Sequence, residues 1–286
     1  MASAGLGGLR SGAKRHRMKQ ARRMKCAGWA IVFAAALACA AGADSARQGV
    51  RMNEKTIQTG FINRSVAVAG IERRYVVYVP HEYTPDKAWP LILFLHGAGE
   101  RGDDGLLQTE VGIGHAIRLN PGRFPCLVVM PQCPKDVWWH EVPEHITAAL
   151  ADALKAYRAD PERIYLTGLS MGGFGTWIYG AAHVDTFAAF MPICGGGNPD
   201  DAAKLATRPI WAFHGADDDT VPPEKSREMV EAVRKAGGPV QYTEYPGTGH
   251  NSWDNAYGDP AAIPWLLKQR KTAPGEHGSG NNPKKP

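Results

Sequence analysis

The sequence predicts an α/β domain in which a mainly parallel, wound sheet is flanked by helices. Three observations point there. Apolar runs of strand length recur along the chain, at Tyr75–Val79, Leu91–Leu95, Cys126–Met130, Ile164–Leu166, Phe187–Ile193 and Ile210–Phe213. They are continuous rather than alternating, which implies burial on both faces and therefore parallel pairing beneath helices. The stretches between them have helical character, and no internal repeat breaks the alternation.

Each element has a local reason. Tyr75–Val79 (YVVYV) is β-branched and aromatic and stops at Pro80. Glu144–Arg158 sets Ile146, Leu150 and Leu154 four residues apart, as on one helical face. Gly172–Ala182 is a helix that follows the strand Ile164–Leu166 directly. Pro223–Ala236 opens with proline in a first-turn position and is stopped by Gly237-Gly238. Val240–Tyr245 is a further strand, and Ala261–Gln269 a short apolar helix. Residues 44–60 read as a polar lead-in, and 272–286, rich in Pro, Gly, Asn and Lys, as a loose tail. With 286 residues, 44% of them hydrophobic, the chain has enough material for one large domain over residues 44–271.

The formal charge of +5 belongs to the first 43 residues. They hold eight Lys and Arg and no acid, which leaves 25 basic against 28 acidic residues in the rest. The balance gives no argument for nucleic acid as a partner. Residues 10–25 are densely basic, residues 26–41 apolar and small, and Ala41-Gly42-Ala43 has the small-x-small form that signal peptidase accepts. Residues 1–43 are therefore expected to be a signal peptide cut before Asp44, with an uncleaved anchor as the alternative. Export to the periplasm or medium follows, without stable membrane insertion after cleavage. Three cysteines remain beyond the cut, Cys126, Cys133 and Cys194, so at most one disulfide can form among them.

The chemistry gathers around Gly168-Leu169-Ser170-Met171-Gly172, between a strand and a helix. A serine on a sharp strand-to-helix turn is held in a strained backbone with its hydroxyl thrust out at the carboxyl end of the sheet. The flanking glycines avoid collision with neighbouring chain. The N–H groups of the new helix point at the site and suit an oxyanion. Serine at its ordinary pKa is a poor nucleophile and needs a base held by an acid. Both come later, each just past a strand. Ile210–Phe213 runs into His214-Gly215-Ala216-Asp217-Asp218-Asp219-Thr220-Val221-Pro222, and Val240–Tyr245 runs into Pro246-Gly247-Thr248-Gly249-His250. The order is nucleophile, acid, base; three consecutive aspartates leave the acid open at this point.

These segments, together with LHGAGERG after Leu91–Leu95, PQCP and PICGGG, resemble the α/β-hydrolase superfamily over roughly Tyr75 to Leu267. They are most similar to its bacterial predicted-peptidase and phospholipase/carboxylesterase-like branch, near feruloyl esterases and polyhydroxybutyrate depolymerases. The resemblance implies an α/β-hydrolase fold in a single domain. It implies a serine hydrolase without metal or organic cofactor. The superfamily's acid loop, H-G-x-x-D-x-x-V-P, selects Asp218, with Asp217 and Asp219 as solvated loop charges. His250 becomes the general base. The oxyanion donors are the N–H groups of Met171 and, from the His96-Gly97-Ala98-Gly99 loop, Ala98, with Gly97 the alternative; His96 is read as structural. Dienelactone hydrolases, also in this neighbourhood, use a cysteine nucleophile, and Ser170 argues against that assignment.

Two motifs mislead. Gly97-x-Gly99-x-x-Gly102 mimics a dinucleotide fingerprint, but Glu100, Asp103 and Asp104 repel phosphate where a binding helix should start. His140-Glu141-Val142-Pro143-Glu144-His145 evokes a zinc helix, yet its histidines are five apart and Pro143 breaks the helix between them. Trp138, Trp139 and Trp253 are candidate aromatic walls for substrate, and Glu100 and Arg101 candidate readers of a polar substrate group. The expected activity is cleavage of a carboxylic ester, on a small molecule or linked to polysaccharide, through an acyl-enzyme. Two alternatives are a peptidase of the prolyl-oligopeptidase type and a catalytically silent binding module on the same scaffold.

Overall fold

A computed structural model of the chain describes residues 57–271. The expected signal peptide, its cleavage position, most of the lead-in and the tail at 272–286 lie outside the described residues. Eight strands form one sheet: β1 Gly60–Val68, β2 Ile71–Val79, β3 Trp89–Leu95, β4 Leu127–Pro131, β5 Ala159–Leu169, β6 Ala189–Ile193, β7 Ile210–Gly215 and β8 Val240–Tyr245. Their spatial order is β1-β2-β4-β3-β5-β6-β7-β8. The first two pairings, β1 with β2 and β2 with β4, are antiparallel; every later one is parallel.

Helices cover both faces. Those that follow are α1 Ile113–Leu119, α2 Pro143–Ala156, α3 Met171–Ala182, α4 Ala202–Leu205, α5 Glu224–Lys235, α6 Ser252–Gly258 and α7 Ala262–Lys268. On one face Leu91, Leu93 and Leu95 of β3 join Ile146 of α2, Trp177 of α3 and Val233 of α5 in a single core. On the other, Ile92 and Phe94 meet Ile117 of α1, Tyr257 of α6 and Leu266 of α7. Alternate residues of one continuous apolar strand thus serve two cores, which is why the run carries no polar position.

Three expectations need correction. Gly60–Val68, whose start was read as lead-in, is an edge strand; its alternating exposure admits Asn63, Arg64 and Ser65 and hides it from a search for apolar runs. It turns into β2 at Ala69-Gly70, both in the left-handed region with φ of 50° and 79°. Helix α2 buries Ile146, Ala149, Leu150 and Ala153, whereas Leu154 is exposed. A spacing of four residues rotates about 40° per step around a helix, so the third member of such a series has left the buried face. Helices α1, α4 and α6 were not anticipated; they are seven residues or fewer and, unlike α7, lack a dense apolar run to mark them. Cys126, Cys133 and Cys194 are all buried and unbridged.

The loop after β3 is anchored to the loop after β4. The His96 ring is fully buried; its Nε2 accepts the Cys133 N–H at 2.9 Å, which leaves Nδ1 to donate to the Gly97 carbonyl oxygen at 2.6 Å. The Trp139 indole N–H donates to the His96 carbonyl oxygen at 2.9 Å, the Gln132 amide to that of Glu100 at 3.1 Å, and Gly102 N–H to that of Cys133 at 2.9 Å. Burial lowers His96 from the ordinary 6.5 to about 4. Between those values the unfolded chain binds a proton that the folded chain refuses, so stability rises with pH there. The midpoint of urea unfolding should therefore fall as pH drops from 6.5 to 4, with His96 accounting for at most about 3 kcal/mol. A His96→Gln protein, less stable at pH 7, should show a flatter slope across that interval; an unchanged slope rules out His96 as the source.

Candidate active site

Ser170 lies between β5 and α3 with φ 53° and ψ −118°, a conformation that L-residues rarely adopt. Its surroundings leave no other arrangement. A methyl group built on Gly172 would fall 1.9 Å from the Leu95 carbonyl oxygen, and one on Gly168 would fall 2.3 Å from that of Gly172. Strand, turn and helix are thus pressed against β3, and the serine alone projects to the rim. Its N–H is directed at the Ile193 carbonyl oxygen, 3.0 Å away, and at Cys194 Sγ, 3.3 Å away.

The structure brings together the three side chains singled out for catalysis. His250 Nε2 is 2.9 Å from Ser170 Oγ, and His250 Nδ1 is 2.8 Å from Asp218 Oδ2. Of the three consecutive aspartates only Asp218 is buried; Asp217 and Asp219 face solvent. Asp218 Oδ1 accepts the N–H groups of Thr220 at 3.0 Å and Val221 at 2.9 Å, which holds the carboxylate across its own loop. His214, fully buried at the end of β7, lies beneath it. Its Nε2 is 2.9 Å from the Val221 carbonyl oxygen and 3.2 Å from Asp218 Oδ2, and its Nδ1 is 2.7 Å from Ser226 Oγ. Burial lowers His214, and the ring braces the acid from behind. His250 is half-buried, and the Trp253 ring on α6 stands edge-on to it, 5.4 Å between centroids.

Met171 and Ala98, the expected oxyanion donors, each stand at the start of a helical turn. Met171 opens α3, so its N–H has no carbonyl one turn earlier to bond. Ala98 opens a single 3₁₀ turn, Ala98–Glu100, and is exposed. Gly97 packs tightly on the serine turn: a methyl there would meet Leu169 Cδ1 at 2.9 Å and Ser170 Cβ at 3.6 Å.

The substrate candidates separate. Trp138 is 41% exposed and stands edge-on to Phe174 of α3, 6.0 Å between centroids. Trp139 is 1% exposed and bonded to His96, so it is a packing residue with no surface to offer a substrate. Trp253 is half-buried on a helix rather than on a loop past a strand. Arg101 faces the protein, its Nε donating to the Ala98 carbonyl oxygen at 3.0 Å and its Nη1 to that of Val137 at 3.4 Å; it clips the loop together. Glu100 is half-buried, with Oε2 shielded and unpartnered; a methyl on Gly97 would lie 3.1 Å from it. That burial raises the Glu100 carboxyl.

Sequence reasoning missed Gln132, Phe174, Cys194 and the bracing role of His214. Gln132 alone left a signal, an amide at the end of the apolar run CLVVMPQ. The others are ordinary residues whose meaning lies in what they touch.

The profile of the dienelactone hydrolase family matches residues 129–260. Over 124 residues the chain is 32% identical to a putative carboxymethylenebutenolidase from Methylorubrum extorquens, spanning 38% of this chain and 41% of that protein. It is 30% identical over 161 residues to a bifunctional acetylxylan esterase/xylanase from Neocallimastix patriciarum, 53% of this chain and 22% of that one. A solved structure of a thermostable esterase superposes with a TM-score of 0.68 at 36% identity, covering 74% of this chain and 63% of its own. The chain thus spans less than half the length of these two curated relatives. The family match also corrects the argument drawn from the nucleophile: the dienelactone hydrolase pattern extends across Ser170 even though that residue is not cysteine. By sheet order, by the turn that carries the serine and by the superposition on the esterase structure, the chain has the α/β-hydrolase fold.

Proposed function

We propose that the chain is an exported serine hydrolase that cleaves carboxylic esters through a covalent acyl-enzyme. The observation that supports this most is the unbroken hydrogen-bonded line from buried Asp218 through His250 to Ser170. Ser170 Oγ attacks the ester carbonyl while His250 Nε2 takes its proton. The alcohol leaves with that proton, and water then repeats the sequence on the acyl-enzyme. Asp218 holds the imidazole in the tautomer with its free lone pair toward serine and stabilises its charged form. The N–H groups of Met171 and Ala98 receive the oxyanion; one such donor is typically worth about 10²–10³ in rate. Trp138 and Phe174 supply an aromatic wall beside the serine for the apolar part of the substrate. The acetylxylan esterase likeness favours an acetylated or aromatic-acylated polysaccharide, and the esterase likenesses favour esters over amides.

Export rests on the basic, apolar and small-residue blocks of residues 10–43 in that order. Amino-terminal sequencing of the protein recovered outside the cytoplasm should begin at Asp44; recovery only of the uncut chain in the membrane fraction overturns this.

Ser170→Ala should abolish p-nitrophenyl acetate hydrolysis and fluorophosphonate labelling with unchanged near-ultraviolet dichroism. Preference for an aminoacyl arylamide over the aryl ester in the wild type defeats the ester assignment, and retained turnover in the pure variant defeats the nucleophile. Asp218→Asn should lower kcat by about 10⁴, the loss typical when the acid of such a triad becomes an amide. Asp217→Asn and Asp219→Asn, changes in exposed groups, should stay within a few-fold of wild type. Equal losses in all three would mean that the loop, not one carboxylate, matters.

A further inference from the structure

Cys194 is a buried thiol that acyl-enzyme chemistry leaves unused. It follows β6 with φ 40°, rare outside glycine, and its N–H donates to the Phe213 carbonyl oxygen at 2.8 Å. This places the sulfur beneath the nucleophile, 3.3 Å from the Ser170 nitrogen. Cys194 Sγ, a carboxylate oxygen of Asp218 and a ring nitrogen of His250 all lie within 4.8 Å of one another. Sulfur, imidazole nitrogen and carboxylate oxygen form a mixed donor set. Zn²⁺ and its softer relatives accept such a set in tetrahedral geometry, whereas Mg²⁺ and Ca²⁺ require oxygen. Zinc bonds of about 2.0–2.3 Å put tetrahedral ligands roughly 3–4 Å apart, so the cluster has to close by about an ångström. His250 is half-buried, which gives an ion its way in.

We propose that Cys194, Asp218 and His250 form an inhibitory site for a thiophilic divalent cation of the zinc class. The proposal rests on the reading of His250 as the catalytic base. As the sulfur–metal bond forms, the thiol proton leaves to solvent; no electron is transferred. His250 Nδ1 exchanges its hydrogen bond to Asp218 for the metal, and its proton moves to Nε2. The imidazole then turns an N–H instead of a lone pair toward Ser170, and proton abstraction stops. Burial holds the Cys194 thiol up at about 12, so the ion has to displace that proton.

The test titrates full-length wild type, Ser170→Ala, Cys194→Ala and Cys194→Ser with Cd²⁺, reading the ultraviolet thiolate-to-cadmium band and the heat of binding. Dichroism checks that each variant is folded, and the serine variant keeps size and polarity should alanine disturb packing. Wild type and Ser170→Ala should both gain one equivalent of the band that the two Cys194 variants lack, with affinity for that equivalent lowered at least about 100-fold. The difference between proteins removes the contribution of the other four cysteines. In wild type, Cd²⁺ and Zn²⁺ should block p-nitrophenyl acetate hydrolysis, EDTA should restore it, and Mg²⁺ should leave it untouched. Identical bands and identical inhibition in wild type and the Cys194 variants overturn the site. A Cys194-dependent band in a wild type without esterase activity keeps the metal site and sinks the inhibitory role together with the proposed function.

Discussion

The carbonyl oxygen of Leu95 leaves no room for a side chain at position 172, since a methyl there would lie 1.9 Å away. That contact governs the rest of the site. It lets α3 start directly against the end of β3, which forces the chain through a turn where Ser170 has φ 53°. The same closeness puts the start of α3 beside the loop after β3, so the proposed nucleophile and the proposed oxyanion donors share one edge. A strained serine persists because the strands on both sides over-determine it. β5 pairs with β3 and with β6 along nearly its whole apolar length, and the cost of the turn is spread over two cores.

Around that fixed point the acid and base arrive by different means. Asp218 is held by backbone N–H groups of its own loop and by His214 from below, so its carboxylate is fixed by groups that belong to the scaffold. His250 is the looser partner, half-buried and bounded by the Trp253 ring. This division suits the chemistry. In the proposed reaction the acid keeps one orientation, while the imidazole serves the serine oxygen and then the leaving group.

The parts of the fold legible in the sequence are those where one residue type answers one constraint. Continuous apolar runs marked the strands that are buried on both faces, such as Leu91–Leu95, and the glycines at 168 and 172 marked a turn that tolerates nothing larger. The edge strand Gly60–Val68 escaped because three of its nine positions are exposed and only Val68 is fully buried. Trp139 was misread for a related reason. Trp138 and Trp139 are adjacent and chemically alike, yet neighbours along an irregular loop point in opposite directions, one to solvent and one to His96. Arg101 was placed correctly beside the oxyanion loop, but sequence cannot distinguish an arginine that reads substrate from one that ties the loop to Val137. Cys194 and His214 stand inside the quoted segments PICGGG and H-G-x-x-D-x-x-V-P, but nothing local marks a thiol beneath the serine or a ring behind the acid. Their meaning depends on which strand ends meet at the rim, and that is a property of sheet order, not of any local pattern.

The loop after β3 is held in place differently from the serine turn. Residues 96–102 contain three glycines and gain little rigidity from their own backbone. Their rigidity comes from Gln132, Cys133 and Trp139, which belong to the loop after β4 and bond to four points along the segment. The positions of the proposed oxyanion donor Ala98 and of the proposed wall residue Trp138 are therefore set by one body, since Trp138 lies within the same loop. An altered acyl preference and an altered transition-state contact should be hard to separate by changes there. Phe174 offers a cleaner handle, because it faces Trp138 from the rigid helix that the serine turn already fixes.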